Sequence, residues 1–268
     1  MAGQLLVEQG DRVVLHARNE DRARETIAGV PGAETVVIGD LSSMRQMRNI
    51  AEQVNRLGAF DSVIHNAGVG YRSAKREETE DGLPLEFAVN TLAPYILTAL
   101  IQRPKRLIYM SSGLHHQGDG SLKDLLWQER PWQGLQAYSD TKFHDVLLAF
   151  AVARRWSNVL SNATEPGWVA TKMGGPNASD DLDQGHRTQV WLAVSEDAAA
   201  KVSGEYFFHL SEERRKRKRV MRACRRGCWR HASGFREWSC RGDGMIDVVV
   251  ESRYSDSAPN HEGRPSLH

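Results

Sequence analysis

Tyr138 and Lys142 stand four residues apart in a stretch that reads as a helix, so both side chains fall on one face, one turn apart. A free phenol holds its proton up to a pKa of ~10, and a neighbouring ammonium stabilises the phenolate and lowers that value. The pair therefore suits general acid/base work on a carbonyl and its alcohol. Taken alone, the same two residues also fit the polar face of an ordinary amphipathic helix, and their surroundings have to decide. Residues 107–110 end in Ser111-Ser112-Gly113 just before that helix, and Ser62–His65 ends in Asn66-Ala67-Gly68. Asn90 is polar among Phe87, Val89 and Leu92, and residues 159–164 lead into Pro166-Gly167-Trp168-Val169-Ala170-Thr171. If these runs are strands of one parallel sheet, their carboxyl ends converge on one crevice, which is where open α/β sheets bind ligands.

The elements needed to position these residues are legible. Short β-branched or apolar runs at 13–16, 35–38, 62–65, 107–110, 159–164 and 206–208 predict strands. Between them, 19–29, 43–57, 83–101, 137–156 and 185–200 carry apolar residues at helical spacing, with Gly29, Gly58 and Gly204 placed as helix stops. Such alternation predicts an α/β fold, a doubly wound, Rossmann-like parallel sheet with right-handed crossovers. Residues 4–8 read as the end of a helix that turns at Gly10 directly into the first strand, so the sheet is expected to be incomplete at this end. From 211 onward the periodicity dissolves into the basic run 214–219 and an Arg-, Gly- and Trp-rich mixture in which only 245–250 resembles a strand. The division expected is a domain over 1–210 and a basic, poorly ordered tail over 211–268.

Taken together, Asn66-Ala67-Gly68, Asn90, Ser111-Ser112, Tyr138-Ser-Asp-Thr-Lys142 and Pro166-Gly167 with Thr171, in this order, resemble the short-chain dehydrogenase/reductase family over roughly residues 4–210. The long connection from Ser112 to Tyr138 looks like the retinol-dehydrogenase-like branch. The resemblance implies interconversion of an alcohol and a ketone or aldehyde by hydride transfer with NADP(H). Ser112 would bond the substrate oxygen and Tyr138 would transfer the proton. Lys142 would lower the Tyr138 pKa and hold the nicotinamide ribose, and Asn90 would help anchor a water leading to solvent. Asn66, Ala67 and Gly68, Pro166 and Gly167, and Val169 and Thr171 would lie along the dinucleotide, with Asp40 and Leu41 at its adenine. Ser111 reads as structural.

Cofactor choice is read after the strand at 13–16, where an acidic residue would favour NAD. The sequence there is His16-Ala17-Arg18-Asn19, and Arg18 offers a permanently charged fork suited to a 2′-phosphate, so NADP is expected over NAD. Against a competent enzyme stands the absence of the family's Thr-Gly-x-x-x-Gly-x-Gly turn from all 268 residues. A non-catalytic remnant that no longer binds dinucleotide is therefore an alternative, and a basic, tail-driven interaction module is another.

Composition sets the remaining bounds. Residues 1–210 carry 21 Lys+Arg against 26 Asp+Glu and the remainder 14 against 8, so the basic character belongs to the tail. That run reads as solvated, and no nucleic-acid partner is expected. Cys224, Cys228, His231 and Cys240 match no structural zinc pattern, and no metal is expected. The cysteine usage and the lack of a long apolar run predict a cytoplasmic chain without signal peptide or membrane anchor. A small-molecule alcohol or carbonyl substrate with an apolar body fits Trp127, Trp132 and Trp168. His115-His116 reads as a loop pair near substrate, and the resemblance implies a homo-oligomer, since family members commonly pair the helices corresponding to 83–101 and 137–156 across a dimer interface.

Overall fold

The computed structural model describes residues 1–71 and 73–213. Expectations for 214–268, including the basic run, the three cysteines and the strand-like 245–250, lie outside the described residues. The chain runs α1 (Ala2–Glu8), β1 (Val14–Ala17), α2 (Glu20–Gly29), β2 (Thr35–Ile38), α3 (Met44–Leu57) and β3 (Ser62–His65). It continues through α4 (Leu85–Phe87), a π-turn (Ala88–Leu92), α5 (Ala93–Leu100), β4 (Arg106–Met110) and a 3-10 helix (Gly113–Gln117). Then follow α6 (Gly134–Arg155), β5 (Leu160–Glu165), α7 (Gln184–Val194), β6 (Tyr206–Phe208) and β7 (Ser211–Glu212).

The strands form two sheets, a parallel β1-β2 pair and the series β3-β4-β5-β6-β7, parallel except for the last pair. Among the described strands β1 pairs only with β2, and β3 only with β4 at its near edge. The incomplete Rossmann-like sheet expected from the sequence is thus present as two parts. Helices cover both sides, with α6 on β4 and β5 and α7 on β3, β4 and β5. All five residues of β4 are buried. On the α7 side, Ile108 and Met110 pack with Leu192, Ala193 and Phe207.

Local chemistry explains most boundaries. Asn19 accepts the Arg22 amide at 2.9 Å and caps α2, whose first turn carries Glu20 and Asp21 against the helix dipole. In α3 the buried residues Met47, Ile50, Ala51 and Val54 follow helical spacing, and Gly58, at φ +107°, ends the helix.

Three expectations need correction. The helix expected at 83–101 runs without a gap over 85–100 but is not α throughout, because Pro94 has no N–H to give to the carbonyl of Asn90 and its ring crowds that carbonyl. The π-turn at Ala88–Leu92 absorbs the misfit. The helix expected to reach residue 200 stops at Val194, where the Arg106 guanidinium takes the carbonyls of Leu192 at 3.2 Å and Ser195 at 2.7 Å, satisfying the helix end. Ordered structure also passes residue 210, since Phe207 and Phe208 pair with Glu212 and Ser211. No helix among the described residues is long and apolar enough to cross a membrane.

Candidate active site

Helix α6 is buried from Ala137 to Phe150, and it fixes the reactive pair beneath the carboxyl end of β4. Lys142 donates from Nζ to the Met110 carbonyl at 2.8 Å and to Asp145 Oδ2 at 2.9 Å. The Ser111 hydroxyl donates to the Lys142 carbonyl at 2.8 Å, tying the strand end to the helix, which is the structural place expected for it. The Ser112 side chain lies beside the Tyr138 phenol, close enough to lower its pKa, and its Oγ accepts the Leu114 amide at 3.3 Å. Tyr138 also donates to the Met173 sulfur at 3.8 Å, and the Tyr71 ring meets it edge-on at 5.5 Å.

The electrostatics refine the expectation for Tyr138. Burial raises its pKa above the ordinary phenol value. Lys142 and Ser112 pull it down, while Asp145 and Tyr71 push it up, and the balance stays raised. The lysine thus acts in the expected direction without outweighing burial. Burial also works against the Lys142 charge, yet Asp145 and Tyr138 hold the ammonium above its ordinary value. Asp145 itself is pushed up to about 6, first by burial, with Lys142 opposing.

Asn90 lies wholly buried in the π-turn. Its Oδ1 accepts the Val69 amide at 2.8 Å, and its Nδ2 donates to the Val69 carbonyl at 2.9 Å and to Thr141 Oγ1 at 3.0 Å. It therefore clamps the segment after β3 onto α6. Asn66 and Ala67 are exposed at that strand end, and a Cβ built on Gly68 would lie 3.5 Å from Lys142 Nζ and 3.7 Å from Asn90 Oδ1. Beyond β5, Pro166 and Gly167 are half-buried, and Gly167 adopts φ +80° against Asp180, whose Oδ2 accepts the Trp168 amide at 2.6 Å. Val169 is buried and Thr171 exposed, with Thr171 Oγ1 accepting the Gly174 amide at 3.1 Å.

In the two-stranded sheet, Arg18 is exposed directly after β1. Asp40 accepts the Ser42 amide at 2.8 Å and is half-buried, while Leu41 is buried beside it. The structure thus brings Ser112, Tyr138, Lys142, Asn90 and Gly68 together directly. Arg18, Asp40 and Leu41 sit at the ends of β1 and β2, in the other sheet.

Sequence reasoning missed Asp145, Tyr71, Met173 and Thr141. Asp145 was signalled by its spacing, seven residues after Tyr138 and three after Lys142, whereas Tyr71 and Met173 are on loops whose approach has no sequence period. His115-His116 needs correction: the pair belongs to the 3-10 helix, and His115 is buried with its ring 4.5 Å from that of Tyr206. Among the described residues no group of three or more His, Cys, Asp or Glu is arranged to hold a metal ion.

Comparison with known proteins places this geometry in context. A family model described as enoyl-(acyl carrier protein) reductase matches residues 2–213. An uncharacterized oxidoreductase of Emericella nidulans is 49% identical over 210 residues, covering 77% of this chain and 80% of the relative. Retinol dehydrogenase 14 of Mus musculus is 29% identical over 248 residues, covering 78% and 73%. Among solved structures, a short-chain dehydrogenase of Burkholderia cenocepacia in complex with NADP superposes with a TM-score of 0.60 at 16% identity, covering 77% of this chain and 89% of that one.

Proposed function

Because this chain belongs to the short-chain dehydrogenase/reductase family, we propose that it is an NADP(H)-dependent oxidoreductase interconverting an alcohol and a ketone or aldehyde, with Tyr138 as general acid/base. The observation that carries the reading is the convergence at the carboxyl end of β4 of Ser112 with Tyr138 and Lys142, which lie on the buried face of α6 with Lys142 Nζ bonded to the Met110 carbonyl.

The residues fit a nicotinamide dinucleotide at its two ends. Gly68 keeps the space beside Lys142 Nζ clear of a side chain, and exposed Asn66 and Ala67 continue that edge. Pro166, Gly167, Val169 and Thr171 border it from β5. Arg18 presents a cation for a 2′-phosphate, with Asp40 and Leu41 beside the adenine. When bound, the dinucleotide supplies or accepts the hydride.

In the reducing direction Ser112 donates a hydrogen bond to the substrate oxygen, and Tyr138 passes its proton to that oxygen as negative charge develops there. Lys142 stabilises the phenolate left behind and holds the nicotinamide ribose. Asn90 keeps the Val69 backbone, and with it Gly68, in register with the lysine. Burial of Tyr138, 7% exposed, favours its protonated form and so the role of acid at neutral pH. Met173 and Trp168, both exposed after β5, offer an apolar wall for substrate.

The test is NADPH consumption by the purified chain with a panel of apolar aldehydes and ketones. Turnover that Tyr138→Phe abolishes supports the assignment, and turnover that survives it overturns the role of Tyr138. A second reading, a family member without dinucleotide binding, is favoured by one observation: among the described strands β1 and β3 do not pair with each other. Calorimetric titration with NADPH separates the two.

A further inference from the structure

Tyr138, Lys142 and Asp145 follow one another at i, i+4 and i+7 on α6, so the three side chains share one helix face. The Lys142 and Asp145 side chains are only 5% and 3% exposed, and the Nζ to Oδ2 distance is 2.9 Å. Lys142 Nζ lies 5.8 Å from the centroid of the Tyr138 ring. A buried ammonium is costly unless it is paired, and here the partner lies on the side of Lys142 away from Tyr138 along the helix.

We propose that Asp145 is a positioning residue of this site, whose buried carboxylate draws the Lys142 ammonium towards the Met110 carbonyl and cancels its charge. The lysine is then oriented on three sides, by Met110, Asp145 and the Tyr138 ring, and the face carries no net charge while Tyr138 is protonated. A neutral face favours Tyr138 in its protonated form, the form that the reduction of a carbonyl needs. This inference deepens the reading of Tyr138 as general acid and rests on it.

The groups facing this triad come from several elements. From β4, Tyr109 is fully buried with its hydroxyl 2.8 Å from Thr98 Oγ1, and burial is the main cause that raises its pKa, with Asp145 adding to it. From β3, His65 reaches the same Thr98 hydroxyl at 3.0 Å, and burial lowers its pKa to about 4, so it is neutral. Tyr71 and Ser112 face the phenol from the segments after β3 and β4. Among the described residues Lys142 is thus the cation that Asp145 meets.

The experiment is a pH titration of the 268-residue chain labelled with 13C at tyrosine Cζ, the Tyr138 resonance being identified by its loss in Tyr138→Phe. Asp145→Asn removes the charge while its amide oxygen still accepts from Nζ, and the Tyr138 midpoint is expected to fall by roughly one pH unit, a tenfold change. Asp145→Glu restores a carboxylate and is expected to bring the midpoint back. An unchanged midpoint in Asp145→Asn overturns the proposal. The wild-type chain gives a second measurement that needs no folded Asn variant: as Asp145 takes up its proton near pH 6, the Tyr138 resonance shows an inflection, and a flat response there overturns the proposal equally. The readout does not depend on turnover. A moved midpoint in a chain that reduces no carbonyl upholds the Asp145 role and sinks the activity, whereas turnover with an unmoved midpoint does the reverse.

Discussion

The region around β4 and α6 and the strands β1 and β3 are built to different standards. Every residue of β4 is buried, and it is hydrogen-bonded to strands on both sides. In β1 only Ala17 is buried and in β3 only His65. A strand with partners on both edges and helices on both faces loses nearly all its contact with water, whereas one paired on a single edge keeps part of its surface exposed. Proton transfer is assigned to the first region and adenosine binding to the second. The difference teaches that a site for chemistry can be held firmly in this chain independently of how well a dinucleotide is held.

The largest effect expected from breaking this comparison is at its firm end. Tyr138→Phe removes the proton donor and little packing, so turnover should fall by about 10²–10⁴ with NADPH affinity nearly unchanged. Retained turnover at saturating NADPH removes Tyr138 from the mechanism.

Next is the affinity of the 268-residue chain for NADPH. Hydrogen bonds to a charged group are worth ~1.5–3 kcal/mol each, and the sequence has no glycine-rich turn to supply several of them to a pyrophosphate. Binding weaker than micromolar is expected in calorimetry. Micromolar or tighter binding with one site per chain would show that the weaker region holds the dinucleotide by other means.

Hydrogen exchange reads the contrast directly. Amides of β4 and β5 should exchange at least tenfold more slowly than those of β1, because opening near β1 disturbs less buried structure. Equal protection would remove the physical basis of the comparison.

Acid should act on the firm region. Burial lowers the pKa of His65 to about 4 and of His144 to about 3, against about 6.5 when unfolded. The unfolded chain then binds more protons below pH 6.5, so this contribution to stability is present above that pH and is lost as pH falls towards 4. Asp145, raised to about 6, has the opposite sign between its unfolded value and 6, and offsets part of the loss. A lower thermal midpoint at pH 5 than at pH 7.5, with a smaller drop in His144→Gln, is expected, and a drop that His144→Gln leaves untouched assigns it elsewhere.

The smallest effect concerns Arg18, which is exposed and acts through solvent. Arg18→Asp should move the preference from NADP(H) towards NAD(H) by about tenfold, measured as a ratio of the two affinities. A wild-type chain that binds both equally leaves no 2′-phosphate contact to assign to Arg18.

By itself the sequence determined the succession of strands and helices, because apolar spacing and caps such as Asn19 and Gly58 act over a few residues. It also determined the pairing of Tyr138 with Lys142, since a four-residue separation on a helix leaves little choice of face. The π-turn in the helix at 83–101 had a local cause in Pro94, but what it positions depended on Asn90 finding Val69 and Thr141, which are remote in sequence. Only the tertiary structure decided that Tyr138 would be raised in pKa, because burial depends on how β4, the 66–71 segment and the loop carrying Met173 close around it. It alone also decided that the strands would divide into two sheets. Strand pairing is a contact between distant segments, and β1 and β3 carry the same local pattern whether or not a neighbour lies alongside.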